Sequence, residues 1–131
     1  MEILNVLVAA IAAFAFGAVW YTTMSKPWIA AAEIVVDANG RPMGNGSPMP
    51  FVIGFVAMIL VDGMMRHVIA MTGITTIGDG IMVGFGIGAF LITDWVAMNY
   101  AFAGRKNMLS VIDGVNSIVG CTIMGIVLTL F

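Results

Sequence analysis

The residues able to do chemistry in this sequence are few, and they sit where charge is costly. Asp62, Arg66 and His67 fall inside the apolar stretch Phe51–Gly73, FVIGFVAMILVDGMMRHVIAMTG. Asp94 and Asn99 interrupt a second apolar stretch, and Asp113 and Asn116 a third. Ionisable groups in such surroundings pair with one another, face water, or handle protons and ions. Asp62 and Arg66 are four residues apart with the acid first, the favourable order for an ion pair along one helix face. A neutralising pair is the expected arrangement, with proton or ion handling as the alternative. Asp94 has no basic partner in its own stretch. Asp113 has Arg105 and Lys106 within reach from the preceding loop, and it lies near the start of its helix, where the dipole favours a carboxylate.

Other chemistries find little support. His67 is the single histidine; it could ligate a haem or chlorophyll metal, but beside Arg66 it reads first as a hydrogen-bonded packing residue. A hydrolytic site needs nucleophile, base and orienting group in contact. Here only Ser117, His67 and an aspartate are on offer, and they lie at different depths. Glu2 and Glu33 are the only glutamates, so a bundle di-metal site built on repeated Glu-x-x-His is absent. Cys121 is the single cysteine, which excludes an intrachain disulfide and a Cys-rich metal site. The twelve methionines are scattered, as adaptable packing residues are. No catalytic residue, metal or cofactor is assigned.

The elements that must hold these residues follow from composition. Of 131 residues, 61% are hydrophobic and 9% charged, and mean hydropathy is +1.08. Soluble domains carry about 25% charged residues, so lipid is the expected solvent for much of this surface. Net charge is −2 with no basic block, which argues against a nucleic-acid partner. Four helices are expected, at about residues 3–24, 51–72, 79–103 and 108–131, in one domain spanning 1–131. The first is read as a retained helix, because MEILN carries no basic residue and the apolar run continues to Tyr21. Pro27 is expected to stop it.

Residues 25–50 form the one long loop. Its first half, KPWIAAAEIVV, suits a short interfacial helix anchored by Trp28; its second half is turn chemistry. Ala9, Ala13, Gly17 and Tyr21 recur every fourth residue, as do Gly80, Gly84 and Gly88, and Asp113, Ser117, Cys121 and Gly125. Ridges of small residues let helix backbones approach closely, and no strand precedes the glycines as a nucleotide fingerprint requires. The fold class expected is all-α: an integral membrane four-helix bundle, up-down-up-down, with both termini on one side. Lys26, Arg41, Arg105 and Lys106 belong to the opposite side, against Arg66 near the terminal side, which places those loops in the cytoplasm. From the basic side, at 1.5 Å of rise per residue, Asp62 lies roughly 16 Å in, Asp94 and Asn116 about 12 Å and Asp113 about 7 Å. Together with Asn99, and with Arg66 and His67 deeper, they are expected to form one inward-facing polar layer.

GAVWYTT at Gly17–Thr23, followed by Lys26-Pro27-Trp28, resembles the G-x-x-W-Y-[ST]-x…G-K-x-W signature of a family of small bacterial membrane proteins, domain of unknown function 1761. LSVIDGVNSIVGCTIMGIVLTLF resembles that family's last helix, with Ile112-Asp113 and Met124-Gly125. The resemblance covers essentially the whole chain. It departs at Thr22–Ser25, where the family commonly has a Pro after the Trp-Tyr-Ser and a Phe-Gly before the Lys. It implies the same four-helix order in a bacterial inner membrane, where the basic loops above put the termini on the periplasmic side, and marks Gly17, Trp20, Tyr21, Lys26, Trp28 and Asp113 as family-pattern positions. It implies no activity. The expected role is non-enzymatic: a protein that self-associates or serves as an accessory subunit of a larger membrane complex. A small oligomeric transporter or channel built around Asp62 and Asp94 is the alternative, and pigment binding through His67 a third.

Overall fold

The structure is a computed structural model and describes residues 2–44 and 46–131. Five helices account for it: α1 (Glu2–Thr23), α2 (Ser25–Ala32), α3 (Met49–Thr72), α4 (Ile77–Phe102) and α5 (Asn107–Leu128). No strand is present among the described residues beyond an isolated bridge between Val36 and Pro42 in the long loop. There the Asp37 carboxylate accepts from the backbone N–H groups of Asn39 (2.8 Å) and Arg41 (3.0 Å), a side-chain-closed turn. Helices α1, α3, α4 and α5 are each long and apolar enough to cross a membrane.

Pro27 does not end the helical path. The chain bends at Met24, whose N–H still donates to Trp20 O while its carbonyl accepts from Trp28 N. Proline has no N–H to give, which is harmless in the first turn of a helix, so Pro27 sits inside the start of α2. Gly73 closes α3 in the left-handed conformation (φ 68°), its N–H on Ile69 O, as a C-terminal glycine does. Helix α4 starts at Ile77, two residues before the expected Asp79, because Thr76 caps it: the threonine oxygen accepts from Asp79 N at 3.1 Å and donates to its carboxylate at 2.6 Å.

Helix α5 is the spine, and each other helix packs on it. Against α1 it sets the small ridge: Ala9 and Ala13 are fully buried, Gly17 is buried, and Tyr21 follows on the same line. Against α4 it makes a glycine seam. A Cβ built on Gly88 would stand 2.7 Å from Ile118 Cα, one on Gly84 would run into Cys121 O, and one on Gly80 into Gly125 O. The three glycines thus permit backbone-to-backbone contact, as their spacing predicts. The main core joins Ala9, Ala13, Met65, Ile69, Cys121, Met124 and Leu128. A second cluster, at the other end, joins Ala31, Ala32, Leu109 and Ile112 under Trp20, Tyr21 and Trp28.

One departure from regular helix matters for everything downstream. Residues Ile87–Thr93 of α4 form a π-helical segment. A wide turn of this kind inserts an extra residue into the repeat. Beyond Gly88, two polar side chains of α4 meet α5: Thr93 touches Gly114, and Tyr100 reaches Asp113. Thr93 Oγ1 donates to Gly88 O, five residues back, at 2.6 Å, and so binds one carbonyl that the α ladder releases. An unbroken α repeat of 3.6 residues would instead aim Trp95 and Asn99 at α5.

Candidate functional site

The polar residues do not form one inward layer; they divide into three groups. The first is centred on Asp113, six residues into α5 and so beyond its first turn. Its Oδ1 accepts from the Tyr21 hydroxyl at 2.6 Å and its Oδ2 from the Tyr100 hydroxyl at 2.7 Å. Short O–H···O⁻ bonds of this length belong to the strong, charge-assisted class. Trp20 Nε1 donates to Ile112 O at 3.0 Å, the preceding residue, and Trp28 packs edge-on against Tyr21 with ring centroids 6.0 Å apart. Four family-pattern positions, Trp20, Tyr21, Trp28 and Asp113, therefore meet in one cluster, whereas Lys26 is exposed.

The loop cations expected at Asp113 go elsewhere. Arg105 Nη2 donates to Ala32 O at 2.9 Å, and Lys106 Nζ to Ala30 O at 3.2 Å, with Glu33 at 3.7 Å. They close the end of α2, whose last carbonyls have no intrahelical donor and carry the negative end of the helix dipole. A groove of about 370 Å³ is left between these parts, lined by Trp28, Ala32, Ile34, Tyr100, Arg105 and Asp113.

The second group is Asp62 and Asn116. Asp62 is 0% exposed and near Cys121 of α5; the Ala10 backbone of α1 approaches its carboxylate, but neither oxygen meets hydrogen-bond geometry with any partner. The expected Asp62–Arg66 pair does not form. Arg66 Nη2 binds Glu2 Oε1 at 3.3 Å, because a long side chain can follow the helix surface to the N-terminal end of α1 while Asp62 points into the core. Asn116 Oδ1 is also buried without a donor, 3.2 Å from where a Gly17 Cβ would stand. A second groove, of about 450 Å³, lies at the Arg66 end beside Gly73, Thr75 and Phe131.

The third group faces outward. His67, Asp94 and Asn99 are all exposed. Asp94 follows the inward-facing Thr93 by one residue, about 100° around the helix, and Asn99 has been turned out by the π segment. Among the described residues no cluster of His, Cys, Asp or Glu could hold a metal ion. Ser117 Oγ is spent on Asp113 O at 3.0 Å, a bond back along its own helix.

Spacing alone does not single out Tyr100. Its selection depends on the π segment, which leaves no pattern in the apolar spacing. Residues 4–129 match the family model DUF1761, described as a protein of unknown function. No curated protein and no solved structure matches the chain.

Proposed function

We propose a role for this chain, which belongs to the DUF1761 family, from its surface: it is an integral membrane protein of the bacterial inner membrane that works by association, without catalysis. Helices α1, α3, α4 and α5 cross up-down-up-down, with both termini on the periplasmic side. Two tie points support that order. Glu2 at the start of α1 meets Arg66 in the last third of α3, and Trp20 near the end of α1 meets Ile112 near the start of α5. The excess of Lys and Arg in the two opposite loops supports the orientation.

Asp94 carries the reading of association. It is exposed on α4 between Leu91 (63%) and Trp95 (68%), on the helix whose apolar stretch is buried least, 11% against 39% for α5. A carboxylate facing acyl chains costs about 2.5–3.5 kcal/mol on insertion scales. A second copy covering this face removes the cost, because Trp95 Nε1 and the Asn99 amide of the facing helix are donors for the carboxylate. The test is the mass of the detergent-solubilised protein, for wild type and Asp94→Leu. A dimer or larger assembly that falls to monomer in the variant is expected. A wild type that stays monomeric at every protein-to-detergent ratio, without a copurifying subunit, refutes association.

One observation favours a second reading, an ion or proton path in such an oligomer: Asp62 is wholly buried without a hydrogen-bond partner. Liposome flux decides it. Equal flux for wild type and Asp62→Asn removes this reading.

A further inference from the structure

The Asp113 groove has the composition of a ligand site. Tyr21 and Tyr100 hold the two Asp113 oxygens in place, yet phenols leave its charge uncompensated. Among the described residues the ion pairs are Arg66–Glu2 and Lys106–Glu33, so no basic side chain forms an ion pair with Asp113. A carboxylate offers about four acceptor positions, and the two tyrosines fill about half of them. Asp113 lines the groove, so what it offers next is offered there. Trp28 and Tyr100 add aromatic walls, which attract cations through the ring quadrupole.

Arg105 lines the same groove with the opposite charge. One of its nitrogens is used on Ala32 O, and a guanidinium has further donors in a planar fork suited to phosphate. The groove therefore presents an acceptor for a cation, aromatic walls, and a donor for an anion, at the end of the bundle where α2 and the turn before α5 meet. Ala103 and Leu109 complete its lining, and their chain neighbours Phe102 (91%) and Met108 (52%) are exposed apolar side chains.

We infer that this groove binds an amine-bearing phospholipid, with the primary ammonium on Asp113 and the phosphate on Arg105. A primary ammonium has three N–H donors, enough to fill the two or so acceptor positions left open on Asp113, whereas a trimethylated ammonium has none. An anionic glycerol headgroup would meet Arg105 but leave Asp113 unpaired. The inference rests on the membrane reading above and extends it to one leaflet, that of the basic loops.

Native mass spectrometry of the delipidated, detergent-held full chain tests this, with phosphatidylethanolamine, phosphatidylcholine and phosphatidylglycerol of identical acyl chains supplied in equal amounts. Wild type is expected to retain the ethanolamine lipid over either competitor by about fivefold or more. Asp113→Asn should reduce its retention to the choline level. Arg105→Gln should lower retention of the ethanolamine and glycerol lipids together. If Asp113→Asn loses its helical circular dichroism, Arg105→Gln decides the matter, because its site is an exposed turn. Ethanolamine-lipid retention unchanged in every folded variant, or equal retention of all three lipids by wild type, overturns the inference. Excess soluble glycerophosphoethanolamine should fail to displace the lipid; displacement means that the headgroup alone is read and overturns the lipid assignment. Carbonate washing of membranes separates the two levels. A chain that washes out refutes the membrane reading itself, and one that stays but shows no lipid preference refutes only this site.

Discussion

Replacing Gly84 by alanine tests the seam on which α4 is hung. A Cβ at Gly84 would collide with Cys121 O and stand 2.8 Å from both Cys121 C and Thr122 Cα, all backbone atoms that no rotamer change can move. Ordinary contact between such atoms lies near 3.5–4 Å, so the two helices must part by roughly 1 Å along a seam that Gly80 and Gly88 also close. Overpacking of this kind costs about 1–3 kcal/mol. Gly86, two residues on, is the internal control, because a Cβ there meets nothing within 4 Å. Glycine to alanine in an open helical position gains about 0.5–1 kcal/mol. That gain is common to both positions, so the two substitutions should differ by the overpacking cost, about 1–3 kcal/mol, with Gly84→Ala the less stable and Gly86→Ala at or above wild type. Unfolding in mixed micelles followed by helical circular dichroism measures the difference. Equal stabilities, or Gly84→Ala the more stable, would refute the backbone contact between α4 and α5.

The Asp113 cluster predicts a coupling: Tyr21→Phe and Tyr100→Phe should each cost about 1–2 kcal/mol, at the lower end for hydrogen bonds to charged groups because the site is part-exposed. Because they share one carboxylate, the double variant should depart from additivity by about 0.5 kcal/mol or more, and strict additivity in a double-mutant cycle would show that the phenols do not act on one acceptor. For Asp62, whose buried oxygens lack partners, an apolar residue removes an unmet desolvation cost; Asp62→Val should leave stability unchanged or raise it by about 1–3 kcal/mol, and a clear loss in micelle unfolding would mean that Asp62 has a partner in the native protein.

Much of this architecture is written in local pattern. Small residues at i+4 spacing in α1, α4 and α5 mark the faces that meet, and Ala9, Ala13, Gly17, Gly80, Gly84 and Gly88 lie on them as expected. Glycine in a seam needs no knowledge of its partner, only a backbone that comes close. Trp20, Tyr21 and Trp28 are marked by pattern as well, and they gather with Asp113 at the α2 end. The polar residues behave differently. Arg66 shares a face with Asp62 yet serves Glu2, more than sixty residues away in the chain, because a long flexible cation selects among acids by where the helices place them. Arg105 and Lys106 pass over Asp113 for the carbonyls that end α2.

What the chain's own order of residues determined is the set of long apolar helices and the small faces by which they touch, since hydropathy and side-chain size act within a few turns. Only the tertiary structure decided which way α4 is rotated beyond Gly88. The π segment at Ile87–Thr93 delivers Tyr100 to Asp113 and leaves Asp94 and Asn99 outside. A one-residue change in helical repeat turns every later side chain by about 100°, and its warrant, Thr93 seated on Gly114, lies in the neighbouring helix. Contacts of that kind join segments distant in sequence, and no reading of spacing within one helix contains them.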